Sequence, residues 1–233
     1  MHTGLLDLLR CPYCGGALEL ITSHFHRLDA GGVRDGIIGC ECCTFPVVDG
    51  IPVMHLTEPG PAAAAAIQAG EPDRALLAMI GVSDTARGET FLALAADPSA
   101  TYKAIIEALG PDIEGGYFLY RFSDPTFVVA EAVVHAVAGT VLGGRGRALD
   151  TCGGSGHLTR VLARHADTTV LADLFFAKIW LARRFTAPSC LPVCCDGNRA
   201  LPFARGVFDL AMCTDALMYI WEKRPFEIGR AHV

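Results

Sequence analysis

The chain has 233 residues, enough for one large domain or a medium domain with a small module. Its 19 Lys and Arg against 25 Asp and Glu give a formal charge of −6, which argues against a protein that coats nucleic acid with a basic face. Hydrophobic residues at 52% and charged residues at 19% exclude general disorder. The most apolar run, Val128–Leu142, is broken by Glu131 and His135 and is shorter than the roughly 20 residues of a membrane-spanning helix. No N-terminal apolar segment precedes a small-residue cleavage site, so a reducing, cytoplasmic setting without membrane contact is expected. There, ten cysteines point to free thiols or metal ligands rather than disulfides.

In chain order, residues 1–57 form a first zone rich in Cys, Gly and short β-prone runs. Cys11-Pro12-Tyr13-Cys14-Gly15-Gly16 and Cys40-Glu41-Cys42-Cys43 carry two CxxC pairs, Cys11/Cys14 and Cys40/Cys43. That spacing places two thiolates on one turn, both facing one tetrahedral Zn²⁺, and four thiolates leave no open position, so the site is expected to be structural. Cys42 is the odd thiol, and the register can use it in place of Cys40 or Cys43. A module this small has little core of its own and needs such a staple. His24, His26 and His55 are read as surface or strand residues.

Residues 58–72, with Glu58-Pro59-Gly60-Pro61 and five alanines, read as a linker that is partly helical. Residues 73–226 are helical first and then alternate strand and helix. Helices are predicted over Asp73–Ile80, stopped by Gly81, and from a Ser83 or Asp84 cap to about Ala96. Asp97-Pro98-Ser99 closes that helix and opens another that ends at Gly110-Pro111. Ser123-Asp124-Pro125 starts the apolar helix Thr126–Ala138. Then come a buried strand, Arg147–Asp150; a turn, Gly153–Gly156; a helix, His157–His165; a strand, Thr169–Asp173; a helix, Phe175–Phe185; and strands Leu191–Cys195 and Phe208–Thr214. This alternation implies an α/β fold with a parallel sheet covered on both faces. The last residues, Glu227–Val233, read as the translation of a sequencing adapter, so the natural chain is expected to continue past Phe226.

Ala148–Thr159 follows a strand and opens a helix, and its glycines let backbone approach a ligand closely. A dinucleotide loop would place a third Gly where Thr159 stands. Asp150 ends the first strand and Asp173 the second, where a carboxylate can accept both ribose hydroxyls of a nucleoside. As helix caps these two residues would be merely structural; Asp196-Gly197 is also a common turn pair. Cys190, Cys194, Cys195 and Cys213 read as strand-packing thiols, and His157 as an exposed residue at a helix start.

Two resemblances follow from these residues. The opening leucines, the CPYCGG knuckle and the FPVVDGIPVM segment over about residues 3–57 resemble the small zinc-ribbon subunit that activates several methyltransferases, with Phe45 where that family has Tyr. Asp150-Thr151-Cys152-Gly153-Gly154-Ser155-Gly156 resembles the first motif of class I S-adenosylmethionine (SAM)-dependent methyltransferases of the ubiquinone and menaquinone biosynthesis type, with Cys152 replacing the first Gly. Residues 200–211 and Asp215–Ile220 are similar to later segments of that family, over about residues 115–226.

The resemblance implies the first half of a Rossmann-like methyltransferase sheet, preceded by a zinc-ribbon β module and a helical segment. It implies SAM contacts by Asp150, Cys152, Gly154, Gly156, Asp173 and Asp196, with Asp215 and Tyr219 as candidate catalytic residues by location. Tyr120, Arg121 and Phe122 precede a helix that lids the cofactor in that family. The expected activity is methyl transfer from SAM to an acceptor that the sequence leaves unidentified, a small molecule or protein in preference to RNA. The alternative is a binding or activating scaffold, its ribbon docking a protein partner and its methyltransferase-like half non-catalytic. As the truncated chain it is expected to be inactive, with the fourth strand a bare edge.

Overall fold

The computed structural model describes residues 1–110 and 124–223. Tyr120, Arg121, Phe122 and the tail 227–233 lie outside the described residues. After a short helix α1 (Thr3–Leu8), the N-terminal half is antiparallel: β1 (Glu19–Leu20), β2 (Arg27–Asp29), β3 (Gly32–Gly39), β4 (Thr44–Val48) and β5 (Ile51–Pro52). The central strand β3 pairs with β1, β2 and β4, and β4 pairs with β5 across Asp49-Gly50. Both turn residues have positive φ, 43° and 78°, the geometry that joins twisted antiparallel strands through two residues.

Four helices follow: α2 (Gly60–Gln68), α3 (Pro72–Ile80), α4 (Thr85–Ala96) and α5 (Tyr102–Leu109). Gly81, at φ 87°, stops α3, and the Asp84 carboxylate caps α4 by accepting from the Arg87 amide at 2.8 Å. The helix expected to open at Asp97-Pro98-Ser99 starts later. The Asp97 carboxylate is engaged in a turn by the Ser99 amide and hydroxyl, and Thr101 caps α5 instead. The stretch 58–72, expected as a linker, carries α2, whose Ala63, Ala66 and Ile67 are buried. Small alanines let this helix lie close on β3 and β4.

The second half begins with α6 (Pro125–Val141), capped by Asp124 with Pro125 in its first turn. It then runs β6 (Arg147–Thr151), α7 (Thr159–Leu162), β7 (Thr168–Asp173), α8 (Phe176–Leu181) continued by a π-turn at Ala182–Thr186, β8 (Leu191–Cys194) and β9 (Leu210–Met212). These strands form a parallel sheet in the order β8-β7-β6-β9, which confirms the α/β reading. Helix α7 and strand β9 are shorter than predicted. Among the described residues β9 pairs with β6 on one side and stands at the sheet's edge. No helix among the described residues is long and apolar enough to cross a membrane.

The two sheets join edge to edge. Val53 bridges Cys194 in parallel, and the Met54 amide donates to the Cys194 carbonyl at 2.7 Å. Successive residues along the strands enter opposite cores: Ile37, Val48, Val53 and Leu171 pack with the helices, and Ile38, Val47, Val170 and Val193 pack on the other face. Period-2 side-chain geometry in a layer covered on both faces explains why the adjacent apolar pairs Ile37-Ile38 in β3 and Val47-Val48 in β4 are buried at both positions. The N-terminal antiparallel sheet therefore has no separate core; it shares both of its cores with the parallel sheet.

A polar clamp fixes this junction. The Asp49 carboxylate accepts from Trp180 Nε1 at 2.7 Å and pairs with Arg183 Nη2 at 2.6 Å, and Arg183 also donates to the Asp49 carbonyl. Asp49→Ala leaves an indole N–H without its acceptor and a half-buried guanidinium without its carboxylate, so it should cost about 2–4 kcal/mol in urea unfolding. A loss under about 0.5 kcal/mol would show that the clamp is ornamental to the fold.

Candidate functional site

Where β6 ends, the chain makes three left-handed residues, Cys152 (φ 58°), Gly154 (φ 55°) and Gly156 (φ 74°), before α7. Nothing lies within 4 Å of where a Cβ on Gly154 would stand, so its bare backbone faces open space. The Gly154 amide donates to Asp173 Oδ2 and the Phe175 amide to Asp173 Oδ1, both at 2.9 Å. The carboxylate at the end of β7 thus ties the glycine loop to the next turn.

A cavity of about 620 Å³ opens beside this loop, at the C-terminal ends of the parallel strands. This is within the size range of small-molecule sites, and the place where open α/β sheets bind ligands. Of the expected cofactor residues, Cys152, Gly154, Asp173 and Asp196 line it; so do the expected catalytic candidates, Asp215 and Tyr219. Asp215 adopts φ 53°. Asp196 accepts from the Asn198 amide at 2.9 Å and faces Arg199 Nε at 3.7 Å. Arg199 also lies over the ring of Tyr13, 5.8 Å from its centre.

Two expected cofactor residues stand behind the cavity wall. Gly156 packs against helix α8's continuation, where a Cβ would come within 3.0 Å of Ala182 Cβ. Asp150 is fully buried under the loop, accepting from Thr159 Oγ1 at 2.6 Å, with no partner on Oδ1 among the described residues. A Cβ on Gly153 would press on that carboxylate, at 2.6 Å from Oδ2. Thr159 therefore serves as the hydroxyl that holds Asp150. His157 is half-buried on the cavity wall, edge-on to Phe127 with ring centres 4.2 Å apart, rather than an exposed helix-start residue. Phe127, Phe175, Lys178 and Trp221 also line the cavity and were not singled out from the sequence. Phe175 and Lys178 share one turn, the other two lie far off in the chain, and no local motif marks the set.

Burial pushes the Asp150 carboxyl up to about 7, against the opposing hydrogen bond from Thr159. An acid raised on folding destabilises the fold once the unfolded chain ionises, near pH 4; the penalty grows up to about pH 7 and is constant above. Asp150→Asn keeps an acceptor for Thr159 and removes the titration. It should be more stable than the parent at pH 8 by on the order of a few kcal/mol, with the gain fading towards pH 4. Melts across that range check this; a gain that is flat with pH would contradict it.

In the N-terminal half, Cys11, Cys14, Cys40 and Cys42 bring their sulfurs within 4.8 Å of one another. The pairs Cys11–Cys42, Cys14–Cys40 and Cys40–Cys42 stand at 3.7, 3.6 and 3.5 Å. A tetrahedral Zn²⁺ with bonds of about 2.3 Å separates its sulfurs by about 3.8 Å, so these four thiols fit the ion. Cys43, the expected fourth ligand, lies outside the group, and Cys42 stands in its place. The Cys40 amide donates to the Cys43 carbonyl, and Cys43 packs half-buried against the core with its sulfur 3.3 Å from that of Cys42. Burial pushes Cys11 up to about 11. At Cys40 hydrogen bonds outweigh the upward push of burial and bring it down to about 7.

The chain is similar in part to several solved structures. Over 44% of that chain and 43% of this one it aligns with the YcgJ protein of Bacillus subtilis, at 19% identity and a TM-score of 0.40. With an amino pentose methyltransferase of Micromonospora echinaspora, solved with SAM bound, it shares 23% identity over 50% of each chain, at a TM-score of 0.41. It spans about half the length of these solved structures. No curated protein matches the chain. Residues 149–228, from within β6 past the glycine loop, Asp173, Asp196 and Asp215, match the family model described as a methyltransferase domain.

Proposed function

We propose that the chain is a SAM-dependent methyltransferase with a built-in structural zinc ribbon. The observation that carries the reading is the cavity at the strand ends, bounded by a left-handed glycine loop and by Asp173 at the end of β7 and Asp196 just past β8, within the segment that matches the methyltransferase domain. SAM supplies a methyl group on a positively charged sulfonium, already activated for displacement. Asp173 would accept the ribose hydroxyls, Asp196 would face the adenine amino group, and the Gly154 backbone would lie against the cofactor. Phe175, Ile220 and Trp221 give the cavity apolar walls that exclude water around the reacting atoms. Asp215 and Tyr219 are placed to orient an acceptor or take its proton where the acceptor requires it.

In this reading Cys11, Cys14, Cys40 and Cys42 hold Zn²⁺ in a closed site, and the ribbon's partner is the methyltransferase half of its own chain. The net charge of −6 favours a small-molecule or protein acceptor over RNA. A second reading, a non-catalytic scaffold, is favoured by Cys152, which holds a left-handed conformation at a position where the resembling family has Gly. A thermal-shift comparison tests the proposal. SAM and S-adenosylhomocysteine should raise the melting temperature, and a nicotinamide dinucleotide should not. A shift with the dinucleotide alone would overturn it.

A further inference from the structure

The segment just before the first cysteine knuckle pairs with the segment that follows Asp196. Leu9 bridges Phe203 in an antiparallel pair. The Arg10 amide donates to the Pro202 carbonyl at 2.9 Å, and the Ala204 amide donates to the Leu8 carbonyl at 2.8 Å. Close to this joint along both segments, Tyr13 meets Arg199, whose guanidinium carbon lies 5.8 Å from the ring centre, within reach of a cation–π attraction. Tyr13 is itself held: its ring stacks on buried Phe45 with centres 6.2 Å apart, and its hydroxyl accepts from the Leu56 amide at 3.1 Å. Arg199 Nε in turn faces Asp196 Oδ2 at 3.7 Å, while Asp196 Oδ1 accepts from the Asn198 amide at 2.9 Å. Asp196 lines the cavity; Tyr13 and Arg199 do not.

We propose that Tyr13 and Arg199 are positioning residues that hold the Asp196 carboxylate at the cavity and so set its selectivity for a purine with a 6-amino group. The purine rests on the SAM reading above; the support of Asp196 does not. An ionised carboxylate only accepts hydrogen bonds, so it takes the N–H of a 6-amino group and repels the oxygen of a 6-oxopurine. The sharpness of that choice depends on how firmly its oxygens are placed. The Asn198 amide fixes Oδ1, and Arg199 constrains Oδ2. As a lone ion pair the half-exposed Arg199 would contribute little, because holding its long side chain in one place costs entropy. Tyr13, fixed by Phe45 and Leu56, limits where the guanidinium can go, and Asp196 inherits that order. Residues of the antiparallel half thereby shape a site built on the parallel sheet.

The test titrates S-adenosylhomocysteine and its 6-oxo counterpart, S-inosylhomocysteine, into the zinc-loaded chain by calorimetry, with zinc content and circular dichroism checked for every variant. The parent should prefer S-adenosylhomocysteine by at least about tenfold. Arg199→Ala and Tyr13→Leu should each lose about three- to tenfold in affinity for S-adenosylhomocysteine and keep their affinity for S-inosylhomocysteine. The double variant should lose no more than the larger single loss, and Arg199→Ala should change nothing once Asp196→Ala is in place. Tyr13→Phe keeps a ring face and should recover most of what Tyr13→Leu loses. An equal loss for both ligands, a loss that persists in the Asp196→Ala background, or unchanged selectivity in both single variants would overturn the proposal. So would a parent that binds the two ligands equally. A parent that binds neither overturns the SAM reading instead. Amide exchange at Asn198 then decides the positioning by itself: it should quicken in Arg199→Ala and Tyr13→Leu, and an unchanged rate in both would overturn it.

Discussion

Asp173→Ala is expected to weaken SAM binding by about 100-fold or more, with the chain's circular dichroism unchanged. This one carboxylate holds the Gly154 and Phe175 amides and faces the cavity where ribose hydroxyls would lie. Its loss removes the ligand's acceptor and loosens the loop that shapes the site, and each hydrogen bond to a charged group contributes about 1.5–3 kcal/mol. Asp173→Asn retains one acceptor oxygen and should fall between parent and Ala. Calorimetric titration of the three chains checks the order. An Ala variant that binds as tightly as the parent would remove Asp173 from the site.

The second large effect separates two adjacent cysteines. Cys42→Ser should lose zinc affinity by more than the roughly 100-fold that loss of an outer hydrogen-bond partner costs, and its melting temperature should fall to that of the metal-stripped parent. Cys43→Ser should keep one zinc per chain and lose only about 1 kcal/mol from its half-buried packing. Metal analysis and melts of both variants decide between the C-x-C pairing of the fold and the CxxC pairing of the sequence. A Cys43→Ser chain without zinc, beside a loaded Cys42→Ser chain, would reverse the assignment.

The features legible in the sequence are those fixed by local chemistry. Glycines 154 and 156, the strand-end carboxylates Asp173 and Asp196, and the first knuckle Cys11/Cys14 all stand in short motifs whose backbone demands are local. The sequence leaves the fourth thiol open between Cys42 and Cys43, because the choice depends on how the Cys40–Cys43 turn enters β4. Asp150 stands at a strand end as read, but the glycine loop folds over it and makes it a buried support. The helix in the stretch read as a partly helical linker is α2, and its packing of Ala63, Ala66 and Ile67 on β3 and β4 is a tertiary property that the sequence does not carry. The shared core was hidden for the same reason: Ile37 and Ile38 look like one apolar run and serve opposite faces. The Asp49 clamp joins residues 131 and 134 positions apart, beyond any local pattern.

The central claim, that the cavity between the glycine loop, Asp173 and Asp196 is a SAM site, is tested most directly by titrating SAM into the zinc-loaded, reduced chain in a calorimeter. The account predicts saturable binding at one site per chain. A folded, zinc-loaded chain that gives no heat of binding and no melting shift with SAM would contradict it.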